Sequence, residues 1–262
     1  METHFFAGLD GGPRSEKPRK EGRTMVVDWG LGPHAQEDLV VTGAGYFDFA
    51  KVAIGYSRLY SNDVLGNKIK HYQEHGIEPF PGGQYFEYAG VEGKSDLYLP
   101  ATCKAGYRWV EVSDNQAGVS LDWKLQMIRS AREEFGLSVL GEVGQKEGLE
   151  AAVSMADDVK ACLDAGSEIV LLEAAELVSD DPETKKEVDE VVAAVELKLL
   201  MFELPGPWIP GTNLHDIHAM RRQLIDRYGP EVNLGNVLAD DLIDLEAYRR
   251  GLGITAGRKG ED

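Results

Sequence analysis

The sequence predicts an α/β protein, a single (β/α)8 TIM barrel. Three observations predict it: β-rich runs alternate with helix-like runs along the chain, the strands are apolar at nearly every position, and the unit length is about 30 residues. Near-continuous apolar strands are typical of a parallel sheet covered on both faces. Because crossovers between parallel strands are right-handed, eight such units close into a barrel. The alternative is an open doubly wound sheet, but VVDWGLGPHAQ lacks the GxGxxG turn of that fold.

The strands are predicted from short β-rich runs. They are TMVVDWG (24–30), FDFAKVAIG (47–55), IEPFPGG (77–83), YRWVEVSD (107–114), SVLGEVG (138–144), EIVLLEAAE (168–176), LKLLMFELPG (197–206) and EVNLGNV (231–237). From the second strand onward, runs with apolar residues at helical spacing follow each strand. They cover Asp63–Gln73, a stretch that reaches Ala105, Ser120–Phe135, Gly148–Ala165, Pro182–Val195, Asn213–Tyr228 and Asp240–Gly251.

One domain accounts for these units. We expect a flexible N-terminal arm over 1–22, the barrel over 23–253 and a C-terminal tail over 254–262. The start, METHFFAGLDGGPRSEKPRKEGR, lacks the apolar centre of a signal peptide, and no run approaches the roughly 18 apolar residues of a membrane span. These features predict a cytoplasmic protein.

The chain is strongly acidic, with a formal net charge of −18 and a pI of about 4.7. Such a surface repels a phosphate backbone and an anionic membrane, so neither nucleic acid nor a membrane is an expected partner. The two cysteines, Cys103 and Cys162, form no CxxC pair and predict free thiols in a reducing compartment. A small anionic substrate is the expected partner.

A polar residue recurs between apolar neighbours in the predicted strands. The series is Glu111, Glu142, Glu173, Glu203 and Asn233, with separations of 31, 31, 30 and 30 residues. Asp28 and Lys51 hold the corresponding places in the first two strands. Because each βα unit brings its residue to the same height, we expect these side chains at the carboxyl ends of the strands, where barrels build active sites.

Carboxylates that converge at one rim repel one another unless a cation lies among them. The cation is a divalent metal, a lysine or both. Oxygen-rich surroundings favour Mg²⁺ over zinc. The alternative is that the glutamates are structural residues of the barrel, paired with Lys51, Lys146 and backbone donors.

Eight sequence blocks occur in the order found in the phosphosulfolactate synthase family. They are TMVVDWGL, YFDFAKVAIG, PFPGGQYFEYA, WVEVSDN, VLGEVGQK, LMFELPG, VNLGNV and DLEAYRRGL. Together they cover nearly the whole chain from about Gly22 to Gly253, and the chain resembles a divergent member of that family. The resemblance implies a (β/α)8 barrel, a homo-oligomer, and a Mg²⁺-dependent lyase. Such a lyase adds sulfite across the double bond of phosphoenolpyruvate, forms a C–S bond and gives a sulfonate.

The resemblance also implies roles for individual residues. Lys146, the second residue after EVG, is the expected general acid that protonates C2, and Lys51 adds positive charge for sulfite or the substrate carboxylate. Glu142 is expected to act beside these lysines. The expected metal-facing set is Glu111, Glu142 and Glu173. The expected substrate-contacting residues are Asp28, Trp29, Gln84, Ser113, Asp114, Asn115, Glu203 and Asn233.

The chain departs from the family pattern at the predicted site. Trp29, Gln145 and Ala175 stand where the family commonly has Lys, Lys and Arg. Gln84 replaces a threonine, and the loop at 115–117 lacks the small hydroxyl residues of the family. A phosphate dianion needs such donors, whereas tryptophan offers an apolar face and one N–H. The alternatives are therefore a related reaction on a different, unphosphorylated unsaturated acid, or a non-catalytic barrel that acts in stress tolerance.

Overall fold

The structure is a computed structural model that describes residues 5, 6, 9, 11–115, 118–144, 153–173 and 182–253, with 182–184 described by their backbone only. Eight parallel strands form one sheet in the order β3-β2-β1-β8-β7-β6-β5-β4. The strands are β1 (Thr24–Asp28), β2 (Phe49–Val52), β3 (Glu78–Pro81), β4 (Trp109–Val112), β5 (Ser138–Val143), β6 (Ile169–Leu172), β7 (Leu200–Glu203) and β8 (Leu234–Val237). The two ends of this order, β3 and β4, lie side by side, so the sheet is a nearly closed barrel. The predicted fold class is confirmed.

Helices alternate with the strands around the barrel. Those in the described residues are α1 (Pro33–Gly43), α2 (Tyr56–Leu59), α3 (Asn62–Glu74), α4 (Gly83–Val91), α5 (Ser95–Ala105), α6 (Leu121–Glu133), α7 (Met155–Ala165), α8 (Pro182–Ala194), α9 (Leu214–Tyr228) and α10 (Leu242–Arg249). Short 3-10 turns cover Leu197–Leu199 and Ala239–Asp241. No described helix is both long and apolar enough to cross a membrane.

Helix α1 was not predicted from the sequence. Its buried residues are Gln36, Leu39, Val40 and Gly43, which have helical spacing, but two of the four are not apolar. Gln36 is nevertheless satisfied, because its Nε2 donates to the Lys68 carbonyl at 2.9 Å. A helix that buries a paired amide escapes a search for apolar periodicity.

Prolines explain why the barrel ladder stops between β3 and β4. The N–H groups of Glu78 and Gly82 donate to carbonyls on the β2 side. Along a strand, the backbone N–H groups point alternately to the two neighbouring strands. The backbone nitrogens of Pro79 and Pro81 therefore point towards β4, and neither carries an N–H to donate. The seam of the barrel therefore lies at β3 and β4.

The amino-end half of the barrel interior is filled by apolar side chains. They are Met25, Phe49, Phe80, Leu140, Ile169, Leu171 and Met201, with Trp109 packed against them. Side chains along a strand alternate between its two faces with a period of two, so the residue two positions further along faces the same interior, nearer the carboxyl end. In this way Phe49, Trp109, Leu140, Leu171 and Met201 precede Lys51, Glu111, Glu142, Glu173 and Glu203. The fold thus places a charged layer directly above the apolar layer.

Residues 11–22 lie against the amino-end face of the barrel. Arg14 forms ion pairs with Glu231 at 2.7 Å and with Glu246 at 3.3 Å, and Arg19 pairs with Asp48 at 3.1 Å. Lys17 donates to two backbone carbonyls near the start of β2. These contacts tie the segment to the residues just before β2 and to the last unit. The domain boundaries at 22/23 and 253/254 stay predictions.

Candidate active site

A cavity of about 300 Å³ opens at the carboxyl ends of the strands. Eight of the predicted site residues line it: Trp29, Lys51, Gln84, Glu111, Asn115, Glu142, Glu173 and Glu203. They come from the ends of strands and from the loops and helix N-termini that follow them, as expected for a barrel active site. The regular spacing in the sequence therefore located the four glutamates and Lys51 correctly.

Lys51 is the cation at the centre of this layer. Its Nζ lies 2.8 Å from Glu111 Oε2 and 3.1 Å from Glu203 Oε1. Burial alone would lower the pKa of Lys51, but Glu111, Glu203 and Glu142 outweigh that effect and hold the pKa well above its usual value. Lys51 is therefore a fixed positive charge at neutral pH.

Glu111 is held on both sides. Its second oxygen, Oε1, accepts a hydrogen bond from the Gly83 N–H at 2.7 Å, at the start of α4. A Cβ on residue 83 would lie 2.8 Å from that oxygen and 2.4 Å from Ser113 Oγ, so only glycine allows the backbone to come this close. This contact is the structural reason for the PGG sequence after β3, and it commits Glu111 to Lys51 and the backbone.

Three other carboxylates face one another. Glu142, Glu173 and Glu203 each offer an oxygen, and the three oxygens lie within 4.8 Å of one another. This cluster contains Glu203 and not the predicted Glu111, which is bound by Lys51 and Gly83. The metal-facing set of Glu111, Glu142 and Glu173 stays a prediction. Asn115 Nδ2 donates to Glu173 at 3.3 Å and orients it.

Burial makes this cluster reluctant to ionise. It raises the pKa of Glu142 well above the usual range, and Glu203 and Glu111 raise it further. Burial also raises the pKa of Glu203 to about 7, against the opposing effect of Lys51. Three such carboxylate oxygens are hard donors of the kind that bind Mg²⁺, and a divalent cation would favour their ionised forms. The donor set fits a magnesium ion.

The raised pKa of Glu203 predicts a pH dependence of stability in EDTA. Between about 4.5 and about 7 the folded chain holds a proton on Glu203 that the unfolded chain has lost, so the free energy of unfolding falls as pH rises through this window. Glu203→Gln should flatten that fall, measured by urea unfolding at several pH values. Glu74→Gln, on an exposed face of α3, is the control and should leave the slope unchanged. Equal slopes in all three proteins would contradict the prediction.

The family model described as (2R)-phospho-3-sulfolactate synthase (ComA) matches residues 12–254. The chain belongs to this family. Among its relatives, the phosphosulfolactate synthase of Methanocaldococcus jannaschii is 34% identical over 251 residues, which cover 91% of this chain and 95% of the relative. The phosphosulfolactate synthase of Methanothermobacter thermautotrophicus is 32% identical over 258 residues, which cover 94% and 95%. The predictions of the family and of an enzyme are confirmed.

Solved structures share the fold with this member of the synthase family. The YdjI aldolase of Escherichia coli K12 aligns with a TM-score of 0.52 at 11% identity, over 84% of this chain and 76% of that chain. The 3-hexulose-6-phosphate synthase of Salmonella typhimurium aligns with a TM-score of 0.50 at 12% identity, over 88% and 96%. At such low identity the likeness concerns the barrel alone.

Asp28 does not line the cavity of this family member, and its contact with substrate stays a prediction. The strand register pairs Val27, not Asp28, with Lys51, so Val27 faces the cavity and Asp28 faces the helix layer. There Asp28 accepts hydrogen bonds from Lys68 Nζ at 2.5 Å and from Tyr72 Oη at 2.9 Å. Asp28 anchors α3 to β1.

Ser113 and Asp114 do not line the cavity either, and their side chains bond to other side chains of the protein. Ser113 Oγ donates to Glu87, which also accepts the Asn115 N–H at 3.2 Å. Asp114 accepts from the buried Lys124 at 2.9 Å. These two residues shape the loop after β4, which brings Asn115 to the cavity. Their contact with substrate stays a prediction.

Asn233 lies at the opposite end of the barrel from the site. Its Nδ2 donates to the carbonyls of Lys198 and Leu200, and its Oδ1 accepts the Arg23 N–H. The strand register pairs Glu203 with Gly235. Asn233 is two residues before Gly235 and therefore lies just before the start of β8. The expected position of Asn233 at the carboxyl ends of the strands is therefore wrong, and its contact with substrate stays a prediction. Asn236 lines the cavity instead.

Several lining residues were not predicted. Asn236 has a left-handed backbone with φ of 55°. Its residue type, which tolerates this conformation better than most, is the sequence signal that could have identified it. Trp208, Ile209 and Ile54 come from loops and carry no periodic signal. Lys146, Gln145, Gln116, Ala117 and Ala175 lie outside the described residues.

Proposed function

We propose that the chain is a Mg²⁺-dependent C–S bond-forming lyase. It adds sulfite to phosphoenolpyruvate or a related unsaturated carboxylate by conjugate addition and gives a sulfonate. The observation that carries the proposal is the cluster of Glu142, Glu173 and Glu203 beside the fixed charge of Lys51, inside a barrel of this family. The names of the curated relatives, phosphosulfolactate synthases, support the same reaction class.

Glu142, Glu173 and Glu203 would hold the magnesium ion. A bound Mg²⁺ supplies Lewis-acid stabilisation of the negative charge that develops on the substrate carboxylate. Even beside Lys51, burial and the neighbouring carboxylates raise the pKa values of Glu142 and Glu203, so the cluster bears its own negative charge poorly. This chemistry supports the proposed metal requirement.

Lys51 supplies electrostatic attraction at the same place. Sulfite attacks the CH₂ carbon, and charge moves onto the substrate carboxylate as the C–S bond forms. A permanent cation buried beside the reacting groups stabilises that charge more than a solvated one. Because the pKa of Lys51 is held so high, it is a poor proton donor at neutral pH, and a separate acid must protonate C2.

Lys146 is the proposed acid, from its place after EVG in the family pattern. A general acid of this kind contributes about 10²–10⁴-fold to the rate. The test is to incubate the purified protein with Mg²⁺, sulfite and either phosphoenolpyruvate or an unphosphorylated acid such as methacrylate, and to detect the sulfonate by NMR. Lys146→Met should lose the activity by about that factor, and Lys160→Met, on the exposed side of α7, should keep it. No sulfonate from any acid, with Mg²⁺ or Mn²⁺, would favour the non-catalytic alternative.

Magnesium should raise the melting temperature. A ligand that binds only the folded chain stabilises it by about 2.7 kcal/mol at a concentration of 100 Kd. Glu142→Gln should abolish the Mg²⁺-dependent rise in differential scanning fluorimetry, whereas the exposed Glu74→Gln should keep it. An equal rise in Glu142→Gln would show that the metal binds elsewhere.

A cytoplasmic location and a homo-oligomeric state belong to the same proposal. The enzyme would act on small anionic substrates that need neither a membrane nor nucleic acid. Light scattering coupled to size-exclusion chromatography tests the oligomer, and a mass of 28.8 kDa would show a monomer.

A further inference from the structure

The cavity lining has a second, apolar part. Trp29 follows β1 and Trp208 follows β7, and their ring centroids are 5.0 Å apart. Tyr56 packs edge-on against Trp29 at 5.9 Å. Ile54 and Ile209 complete this part of the lining. We call the pair of indoles, Trp29 and Trp208, the aromatic wall.

The sequence LPGPW builds the wall after β7. A Cβ on Gly206 would lie 2.1 Å from two atoms of the Trp208 ring, so glycine at 206 lets the indole fold back over the backbone. Pro205 and Pro207 on either side restrict the backbone of this turn. The turn is therefore shaped to present an indole to the cavity.

The loops after β7 and β8 are the usual phosphate-binding place of a barrel, where backbone N–H groups and the N-terminus of a short helix meet the phosphate. Here residues 204–213 contain no Lys, Arg or His, and Pro205 and Pro207 have no N–H. The short helical turn after β8 carries Asp240 and Asp241 in its first turn. A phosphate placed there would meet carboxylates instead of donors.

The charges of the lining residues also disfavour a phosphorylated substrate. Four glutamates and Lys51 give the described lining a formal charge of −3, and a magnesium ion would leave −1. Phosphoenolpyruvate brings a phosphate dianion and a carboxylate, whereas an unphosphorylated enoyl acid brings one carboxylate. Like charges in a buried site are costly, so the singly charged acid suits this cavity better.

We infer that the enoyl substrate is unphosphorylated and bears an apolar group at C2, which packs on the aromatic wall. The inference rests on the proposed function and names its substrate class. In the reaction the sulfur lone pair forms the C–S bond at the CH₂ carbon, and the π electron pair moves onto the carboxylate. C2 then takes one proton from the general acid. No group leaves, nothing is oxidised, and sulfite plus CH₂=C(R)–COO⁻ plus H⁺ becomes the sulfonate ⁻O₃S–CH₂–CH(R)–COO⁻.

Calorimetric titration of the full chain with Mg²⁺ and without sulfite tests the inference. 2-Benzylacrylate should bind at least about 10-fold more tightly than phosphoenolpyruvate, because its ring is buried on the wall. Trp29→Lys, which restores the common family residue, and Trp208→Ala should each reduce the affinity for 2-benzylacrylate by about 10-fold or more, and Trp29→Lys should improve phosphoenolpyruvate binding. Trp123→Phe, at a tryptophan of α6 outside the cavity lining, is the control and should keep the parent selectivity.

Gly206→Ala offers a second variant that keeps both indoles. Its methyl group should displace Trp208, and a loss of selectivity for 2-benzylacrylate at an unchanged circular dichroism spectrum supports the wall. Tighter binding of phosphoenolpyruvate than of 2-benzylacrylate by the parent, or unchanged selectivity in all three wall variants, overturns the inference. Turnover of phosphoenolpyruvate with sulfite in preference to an unphosphorylated acid would also overturn the inference, while the proposed function would still hold. Selective, wall-dependent binding of 2-benzylacrylate without any sulfonate would support the ligand class and contradict the proposed reaction.

Discussion

Replacing Lys51 with methionine is expected to lower the free energy of unfolding by about 3–5 kcal/mol near neutral pH, the cost of breaking a buried ion pair on one side. The ion-paired side chains of Glu111 and Glu203 are each 1% exposed, so the variant would leave two carboxylates without their cation and without water. The same substitution removes the fixed charge from the proposed reaction, and turnover should fall by about 100-fold or more. Urea unfolding and the sulfonate assay measure the two effects.

Lys70→Met is the matched control, since Lys70 is an exposed lysine paired with Glu74 on α3. It should change stability little, as surface ion pairs do. The Lys51→Met defect should shrink as pH falls from about 7 to about 4.5, because Glu203 and Glu142 then take up protons and no longer need a cation. A Lys51→Met protein as stable as the control at pH 7 would contradict the assigned role.

Lys124→Met is expected to cost about 3 kcal/mol, the low end for a broken buried pair, because its partners keep some contact with water. The Lys124 side chain is fully buried in α6, and its Nζ lies 2.9 Å from both Asp114 and Asp158. It also donates to the Glu142 carbonyl at 3.2 Å. The ammonium group therefore joins the loop after β4 to the end of β5.

Loss of these Lys124 contacts should also disturb the candidate active site. Asn115 follows Asp114, and Glu142 is a proposed metal ligand, so Lys124→Met should also weaken Mg²⁺ binding, measured as a smaller magnesium-induced rise in melting temperature. Adding Asp158→Asn to Lys124→Met should recover part of the lost stability, because one unpaired carboxylate is removed. The exposed Lys160→Met serves as control. A double variant no more stable than Lys124→Met alone would argue against charge as the cause.

The glutamates were predictable because two independent periods agree. The unit length of about 30 residues repeats around the barrel, and the alternation within each strand puts a charged residue two positions after an apolar one that fills the interior. Glu142 after Leu140 and Glu203 after Met201 show the pattern. Where both periods hold, sequence alone locates the side chain.

Asp28 and Asn233 show where this reasoning stops. Separation along the chain counts loop and helix residues, whereas height in the barrel depends on the hydrogen-bond register between neighbouring strands. In β1 that register aligns Val27 with Lys51, and in β8 it aligns Gly235 with Glu203. Asp28 is one residue past the position that pairs with Lys51, so its side chain points outward to the helices. Asn233 is two residues before the position that pairs with Glu203, so it lies towards the amino end of the barrel. The pairing of Trp29 with Trp208 joins two loops from distant units, and no local pattern encodes it.

The contacts of residues 11–22 also set the order in which the chain can finish folding. Arg14 bonds to Glu246, a residue 232 positions later in the sequence. During synthesis from the amino end, this partner does not exist until almost all of the chain has been made. Lys17 and Arg19 can dock near the start of β2 early, whereas the Arg14 contacts must form late, and contacts of such long separation are slow to form. The amino-end face of the barrel is completed only after the last unit has left the ribosome.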